Sequence, residues 1–401
     1  MSTADVTLLT PYPPVGQRHG GHSGVASYSV NLATALAAEG ARVRVIAPHE
    51  PGEPPATTDH GVQVLRAGRR GPRALLHAAS AALAGTTRVV HLQHEMFLYG
   101  GPTALPILPL TVERLRRQVP LAATLHQVVD PADVDRDYTR MHRVAVPPAL
   151  ARRGLRGLQD YLANRTHRAI VHEAAFAPLV PGARVIHHGV ETADPPDRAA
   201  ARRALGIDDE RLVVLCFGFV APYKGVETAL AAAELAGCDV ELVIAGGPHP
   251  RLADGEDYLA ELARRHPRAR FTGYVPDQDV SRWHSAADVA LLCYPRPHAS
   301  SGALALAVAH GTPLLLGEPV ARCVEAPEEL EVPLDPSTIA ERLRHLASHR
   351  GTRERLRAAT RRFATGRSWP EVARQHLDLY EEMLRAPHTA DRTVGTRRPV
   401  G

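Results

Sequence analysis

The chain has 401 residues, 44% of them hydrophobic, 22% charged and 4% aromatic. This excludes wholesale disorder and suggests two domains at roughly 100–200 residues each. A formal net charge of +4, without a run of five or six like charges, argues against dedicated nucleic-acid binding, and no nucleic-acid partner is expected. Of the 47 basic residues one is a lysine, Lys224, and the rest are arginine, so this lysine stands where a generic positive charge was not enough.

Short β-rich runs alternate with Ala/Leu/Arg helical stretches, the pattern of parallel sheets with helices on both faces. A first series of strands is predicted at 6–9, 43–47, 62–65, 88–93, 121–125, 169–172 and 185–187, and a second at 212–218, 240–245, 270–272, 289–292 and 313–316. The paired prolines in the polar segment from Glu191 to Asp197 suit neither helix nor interior strand and mark the domain boundary. The start of the chain lacks the charged and apolar regions of a signal peptide. The apolar stretch Thr103–Leu110 is broken by proline and falls well short of the roughly 18 residues that a membrane span needs. With Cys216, Cys238, Cys293 and Cys323 far apart and outside any CxxC spacing, free thiols and a cytoplasmic location are expected.

In chain order, the first segment able to carry chemistry is Gly20-Gly-His-Ser-Gly-Val-Ala-Ser-Tyr28, ahead of a helix predicted over 29–39. Its glycines leave amides free to approach an anion at a helix N-terminus, although the segment matches neither GxGxxG nor the P-loop; a plain flexible loop reads the same way. Histidines then close predicted strands: His91 and His94 with Glu95, then His126, then His187 and His188. His91-x-x-His94-Glu95 is neither HExxH nor its inverse, and no metal is expected. The Asp133-Val-Asp135 and Asp135-Arg-Asp137 pairs lie in a polar loop, where chance accounts for them.

In the second half, Phe217-Gly-Phe-Val-Ala-Pro-Tyr-Lys224-Gly-Val-Glu227 places the lysine between a strand end and a helix start, where a phosphate would meet an ammonium and free amides together. His298-Ala-Ser-Ser-Gly302 follows Leu291-Leu-Cys-Tyr-Pro295 and opens another helix, a second amide-rich cradle. A last helix begins at Ser368-Trp-Pro-Glu371 and runs to about Arg385, and 386–401 reads as a disordered tail.

These segments, with IleAlaGly at 244–246, Gly273-Tyr-Val-Pro276, AlaAspVal at 287–289 and AlaHisGlyThrPro at 309–313, resemble the retaining glycosyltransferases of family 4 over nearly the whole chain. The resemblance implies an α/β fold of GT-B architecture: two Rossmann-like domains facing a central cleft, with a C-terminal helix crossing back to the first. On this sequence that gives an acceptor domain at 1–192, a nucleotide-sugar domain at 193–367, the crossover helix at 368–385 and the tail at 386–401.

It also implies a UDP- or GDP-sugar donor, bound without a metal cofactor. Lys224 would neutralise the diphosphate, and His126 would contact the transferred sugar near its anomeric centre. Gly21, Gly24, Val25, His298, Ser300, Ser301, Gly302 and Ala303 would hold phosphate and sugar, while Gly246, Tyr274 and Val275 would line the base pocket. Acceptor contacts fall to His94, Glu95 and Asp130, with His91 beside them.

Two departures stand out: Phe219 and Ala221 replace the arginine usual before the lysine, and His298 and Leu306 occupy the family's Glu-x7-Glu positions. The expected function is sugar transfer to a hydroxyl of a small or secondary-metabolite acceptor. The alternatives are a lipid-linked acceptor at the cytoplasmic membrane face, or a non-catalytic sugar-nucleotide binding protein. Residues 1–193 carry 20 Arg against 14 Asp plus Glu, a surplus of six that suits a phosphorylated or membrane-bound acceptor and equally a solvated arginine-rich face; peripheral membrane association is only weakly indicated.

Overall fold

The computed structural model describes residues 3–17, 24–71, 73–96, 98–99, 104, 106–141, 144–191, 193–207, 210–249, 252 and 254–386. Strands of the first sheet are β1 (Ala4–Leu9), β2 (Val43–Ala47), β3 (Ala56–Asp59), β4 (Val62–Arg66), β5 (Thr87–His94), β6 (Leu121–Leu125), β7 (Arg168–Val171) and β8 (Arg184–Val185). They lie in the order β3-β4-β2-β1-β5-β6-β7-β8. The second sheet holds β9 (Leu212–Phe217), β10 (Val240–Ala245), β11 (Arg270–Gly273), β12 (Val289–Leu292), β13 (Leu314–Gly317) and β14 (Glu331–Val332), in the order β11-β10-β9-β12-β13-β14.

Pairing is parallel at β1–β2, β1–β5, β9–β10, β9–β12 and β12–β13, as the alternating strand and helix pattern requires. The exception is β3, antiparallel to β4 and absent from the strands read in the sequence. It follows two prolines, has three polar residues among its four and sits at the sheet edge, where the alternation signal is weakest.

The chain divides into two compact units. One comprises residues 1–124, 164–169 and 373–401, and the other residues 125–163 and 170–372. In the first, His91 is fully buried, with Nδ1 2.6 Å from the Tyr380 hydroxyl of the last helix (Trp369–Arg385) and Nε2 2.8 Å from Thr124 Oγ1. Its polar ring is thereby accommodated in an apolar interior.

In the second unit, Val213, Leu215, Val243, Ala245, Val275 and Trp283 pack into one core. Arg202 is completely buried there, its guanidinium 2.6 Å from Asp288, whose carboxylate also accepts the Val213 amide at 2.9 Å. Asp288 of AlaAspVal thus clamps a helix to a strand. Asp197 caps the helix Arg198–Leu205 through the Ala200 amide. Trp369 is buried against Gly189, where an added Cβ would lie 2.3 Å from the indole. All four cysteines are free, and no helix among the described residues is long and apolar enough to cross a membrane.

Candidate active site

In the second sheet the strand order reverses between β9 and β12, the place where the carboxyl ends of an open α/β sheet leave a crevice. Lys224 lies in the loop after β9, and Tyr294 and the His298–Gly302 loop follow β12. Gly225 makes this convergence possible: its φ of +63° suits a residue without Cβ, and its Cα lies against the Cys293 carbonyl. Lys224 is thereby set over the Tyr294 ring, with Nζ 4.2 Å from the ring centroid and donating to the phenol oxygen at 2.9 Å.

Burial works against the charged form of Lys224, but the neighbouring phenols of Tyr294 and Tyr223 and the bond to Tyr294 outweigh it, so its pKa lies above the ordinary lysine value. The Tyr294 hydroxyl reaches Ser301 Oγ at 3.0 Å. Ser301 is the N-cap of the helix Gly302–Ala309 and accepts from the Leu304 amide. One continuous chain therefore runs from an ammonium through a phenol to a capping hydroxyl at an open helix start, an arrangement suited to an anion. Among the described residues no group of three or more His, Cys, Asp or Glu is gathered to hold a metal ion.

His126, at the end of β6, reaches the same loop through the backbone: Gln127 bridges Ala299, and the Val128 amide donates to the His298 carbonyl at 2.9 Å. His126 Nδ1 is 3.3 Å from His172 Nε2, and His172 Nδ1 is 2.9 Å from the Ile186 carbonyl. Since a carbonyl only accepts, His172 carries its proton on Nδ1. In neutral rings His126 then donates through Nδ1 and keeps Nε2 as an acceptor. Ser300 donates to Glu173 Oε1 at 2.6 Å. His298 is 3.9 Å from Asp133 and burial lowers its pKa, although Asp133 opposes the shift.

Gly246 lies so near the Gly218 carbonyl that a Cβ would sit 2.0 Å from the oxygen, and it bridges Gly273. Tyr274 is 69% exposed, while the Val275 side chain belongs to the core, so only its backbone can face a ligand. Gly302 is exposed and Ala303 half-buried at the helix start, and Leu306 lies half-buried one turn further on. The Asp130 carboxylate caps the short turn Pro131–Asp133 through the Ala132 amide.

In the first unit, Gly21 lies outside the described residues, Gly24 opens the helix Gly24–Ala38, and the Val25 side chain is buried. His94 is buried at the end of β5 with Nδ1 lacking a hydrogen-bond partner; burial lowers its pKa to about 4. Glu95, beside it, is half-buried. The sequence reading did not single out Tyr294, His172 or Glu173, though Tyr294 stood inside the quoted Leu-Leu-Cys-Tyr-Pro run and His172 ended a predicted strand.

Residues 197–363 match the family model "Glycosyl transferases group 1". A D-inositol 3-phosphate glycosyltransferase of Kribbella flavida is 28% identical over 328 residues, which cover 77% of this chain and 74% of that protein. The sucrose-phosphate synthase from Thermosynechococcus elongatus superposes with a TM-score of 0.74 at 19% identity, covering 94% of this chain and 98% of the other. Anabaena HepE in complex with UDP and glucose superposes at 0.68 and 15% identity, covering 94% and 100%.

Proposed function

We propose that this chain, which has the GT-B fold and matches the glycosyl transferases group 1 model at residues 197–363, is a glycosyltransferase that moves a sugar from a UDP- or GDP-sugar to an acceptor hydroxyl with retention of anomeric configuration. The bond from the anomeric carbon to the diphosphate oxygen breaks with its electron pair on the diphosphate. The acceptor oxygen bonds to the same carbon, and its proton passes to a carboxylate, for which Glu95 and Asp130 are the candidates. A fixed cation facing the departing diphosphate is then the main catalytic contribution, and Lys224 supplies it without a metal.

The observation that carries this reading is the chain of bonds from Lys224 through Tyr294 to Ser301 at the switch point of the second sheet. Under it, the amides of Gly302 and Ala303 meet phosphate, with Ser300 and His298 at their side. The backbone of Gly246, Tyr274 and Val275 faces the base. His126, with Nε2 as an acceptor, meets the sugar, and Gly21, Gly24 and Val25 complete the proposed donor contacts. His94 joins the acceptor contacts as a neutral ring.

The acceptor favoured first is a small molecule. A phosphorylated polyol is a second reading, supported by the arginine surplus of residues 1–193 and by the name of the Kribbella relative.

A thermal-shift screen with UDP-glucose, GDP-mannose, dTDP-glucose and ADP-glucose, each with and without EDTA, tests the donor. A shift that EDTA leaves unchanged is expected, together with release of the matching nucleoside diphosphate that Lys224→Ala slows by about 10²–10³. No shift and no release with any of the four would overturn the proposal. D-inositol 3-phosphate added as acceptor separates the two acceptor readings by whether it accelerates release.

A further inference from the structure

Ser300 and Ser301 are chain neighbours with opposite hydrogen-bond polarity. The Ser300 hydroxyl donates to Glu173 Oε1 at 2.6 Å. A carboxylate can only accept, so the one proton of Ser300 is committed and its oxygen offers lone pairs alone. Glu173 is 1% exposed, and its Oε2, which has no hydrogen-bond partner, faces Arg367 Nη1 at 3.7 Å and His187 Nδ1 at 3.5 Å.

Ser301 runs the other way. Its oxygen accepts from the Leu304 amide at 3.3 Å and lies 3.0 Å from the Tyr294 hydroxyl. The phenol oxygen already accepts from Lys224 Nζ at 2.9 Å. An ammonium can only donate, which leaves the phenol its own proton to give to Ser301 Oγ. That leaves the Ser301 proton to point outward.

We infer that Ser300 recognises a ring hydroxyl of the transferred sugar, as an acceptor, while Ser301 donates to the diphosphate, and that Glu173 is the positioning residue that sets the polarity of Ser300. The inference rests on the glycosyl-transfer reading above and sharpens it. A phosphate oxygen cannot donate and is negatively charged, so lone pairs backed by a buried carboxylate reject it. A sugar hydroxyl donates and fits. The loop thus gains a fixed acceptor although His298 and Leu306 contribute no carboxylate. The donor sugar is then favoured when it keeps a proton-bearing group at that ring position, and sugars deoxygenated at that carbon bind about tenfold more weakly.

Calorimetric titration of the full chain tests this, using the tightest binder among the four nucleotide sugars of the screen beside its own nucleoside diphosphate. Ser300→Ala is expected to weaken the nucleotide sugar about tenfold, the worth of one hydrogen bond, and to leave the diphosphate unchanged. Ser301→Ala is expected to weaken both.

Among the monodeoxyfluoro forms of the sugar, in which fluorine cannot donate, one is expected to lose about tenfold on the unaltered protein and nothing further on Ser300→Ala, the coupling expected of a direct contact. Glu173→Gln should turn its amide oxygen toward Arg367 and its NH2 toward Ser300. This reverses the hydroxyl and reproduces the Ser300→Ala pattern, a change in the ratio of the two affinities that a loss of packing alone would not produce.

Equal weakening of sugar and diphosphate by Ser300→Ala, or fluorinated forms that all bind like the parent, would overturn the inference while leaving the glycosyl-transfer reading intact. Failure of every nucleotide and nucleotide sugar to bind the unaltered protein would overturn both.

Discussion

Gly225 sits so close to Cys293 that a Cβ on the glycine would fall 2.0 Å from the cysteine carbonyl oxygen. This approach, rather than the lysine alone, aligns the loop after β9 with the segment after β12. Gly225→Ala combines a left-handed backbone, costing about 1–2 kcal/mol, with a clash against backbone that cannot yield. The expected result is a lower urea midpoint and a loss of nucleoside diphosphate affinity larger than the loss of stability explains, read by calorimetry under folded conditions.

Lys224→Arg tests why one lysine remains among 47 basic residues. A guanidinium is a planar fork, whereas the site offers one phenol oxygen and one ring face to a compact ammonium. Release of nucleoside diphosphate from the donor should fall in Lys224→Arg, and by about 10²–10³ in Lys224→Ala, where the charge that meets the leaving group is gone. Full activity of the arginine variant would contradict the role given to this residue.

Tyr294→Phe keeps the ring under Lys224 but removes the hydroxyl that joins it to Ser301. A hydrogen bond to a charged group is worth about 1.5–3 kcal/mol, so diphosphate affinity should weaken by about tenfold or more. Ser301 then lacks the phenol as a donor, and combining Tyr294→Phe with Ser301→Ala should cost less than the sum of the two, measurable as a double-mutant cycle.

Acid should destabilise the protein through its buried histidines. Burial lowers the pKa of His94 to about 4; for His284, burial and then the neighbouring His310 lower it to about 3. Both values lie below the unfolded value near 6.5, so the unfolded chain binds more protons between these limits. The stability contribution is complete above about pH 6.5 and is lost as pH falls toward the folded values. At pH 5 each group costs about 2 kcal/mol relative to pH 7. The drop in urea midpoint from pH 7 to pH 5 should be smaller in His284→Gln than in the unaltered protein.

Strands with strong β-branched and apolar runs, such as Val43–Ala47, Leu121–Leu125 and Val240–Ala245, were legible in the sequence to the residue. The two-residue β14 and the proline-flanked β3 were not, since neither is long enough to show a period. The first long helix begins at Gly24 rather than Ser29, because burial of Val25, Ala26 and Tyr28 outweighs the poor propensity of the residues before them.

Lys224 could be found because composition made it unique. Tyr294 and Glu173 could not, because their roles arise from bonds across 70 and 127 residues of chain, which no local pattern encodes. His91 shows the converse. In the sequence it reads as a residue beside the acceptor contacts, yet its partner Tyr380 lies 289 residues away and holds it in the interior.

The burial of Trp369 against Gly189 has an optical consequence. The chain has two tryptophans, Trp283 and Trp369, both buried and both in the unit formed by residues 125–163 and 170–372. Tryptophan emission, excited at the red edge where tyrosine does not absorb, therefore reports the surroundings of these two side chains, while far-ultraviolet circular dichroism sums over both units. Denaturant titrations followed by the two signals coincide if the units melt together and separate if they do not. The protein carries its own unit-specific fluorophores without any label.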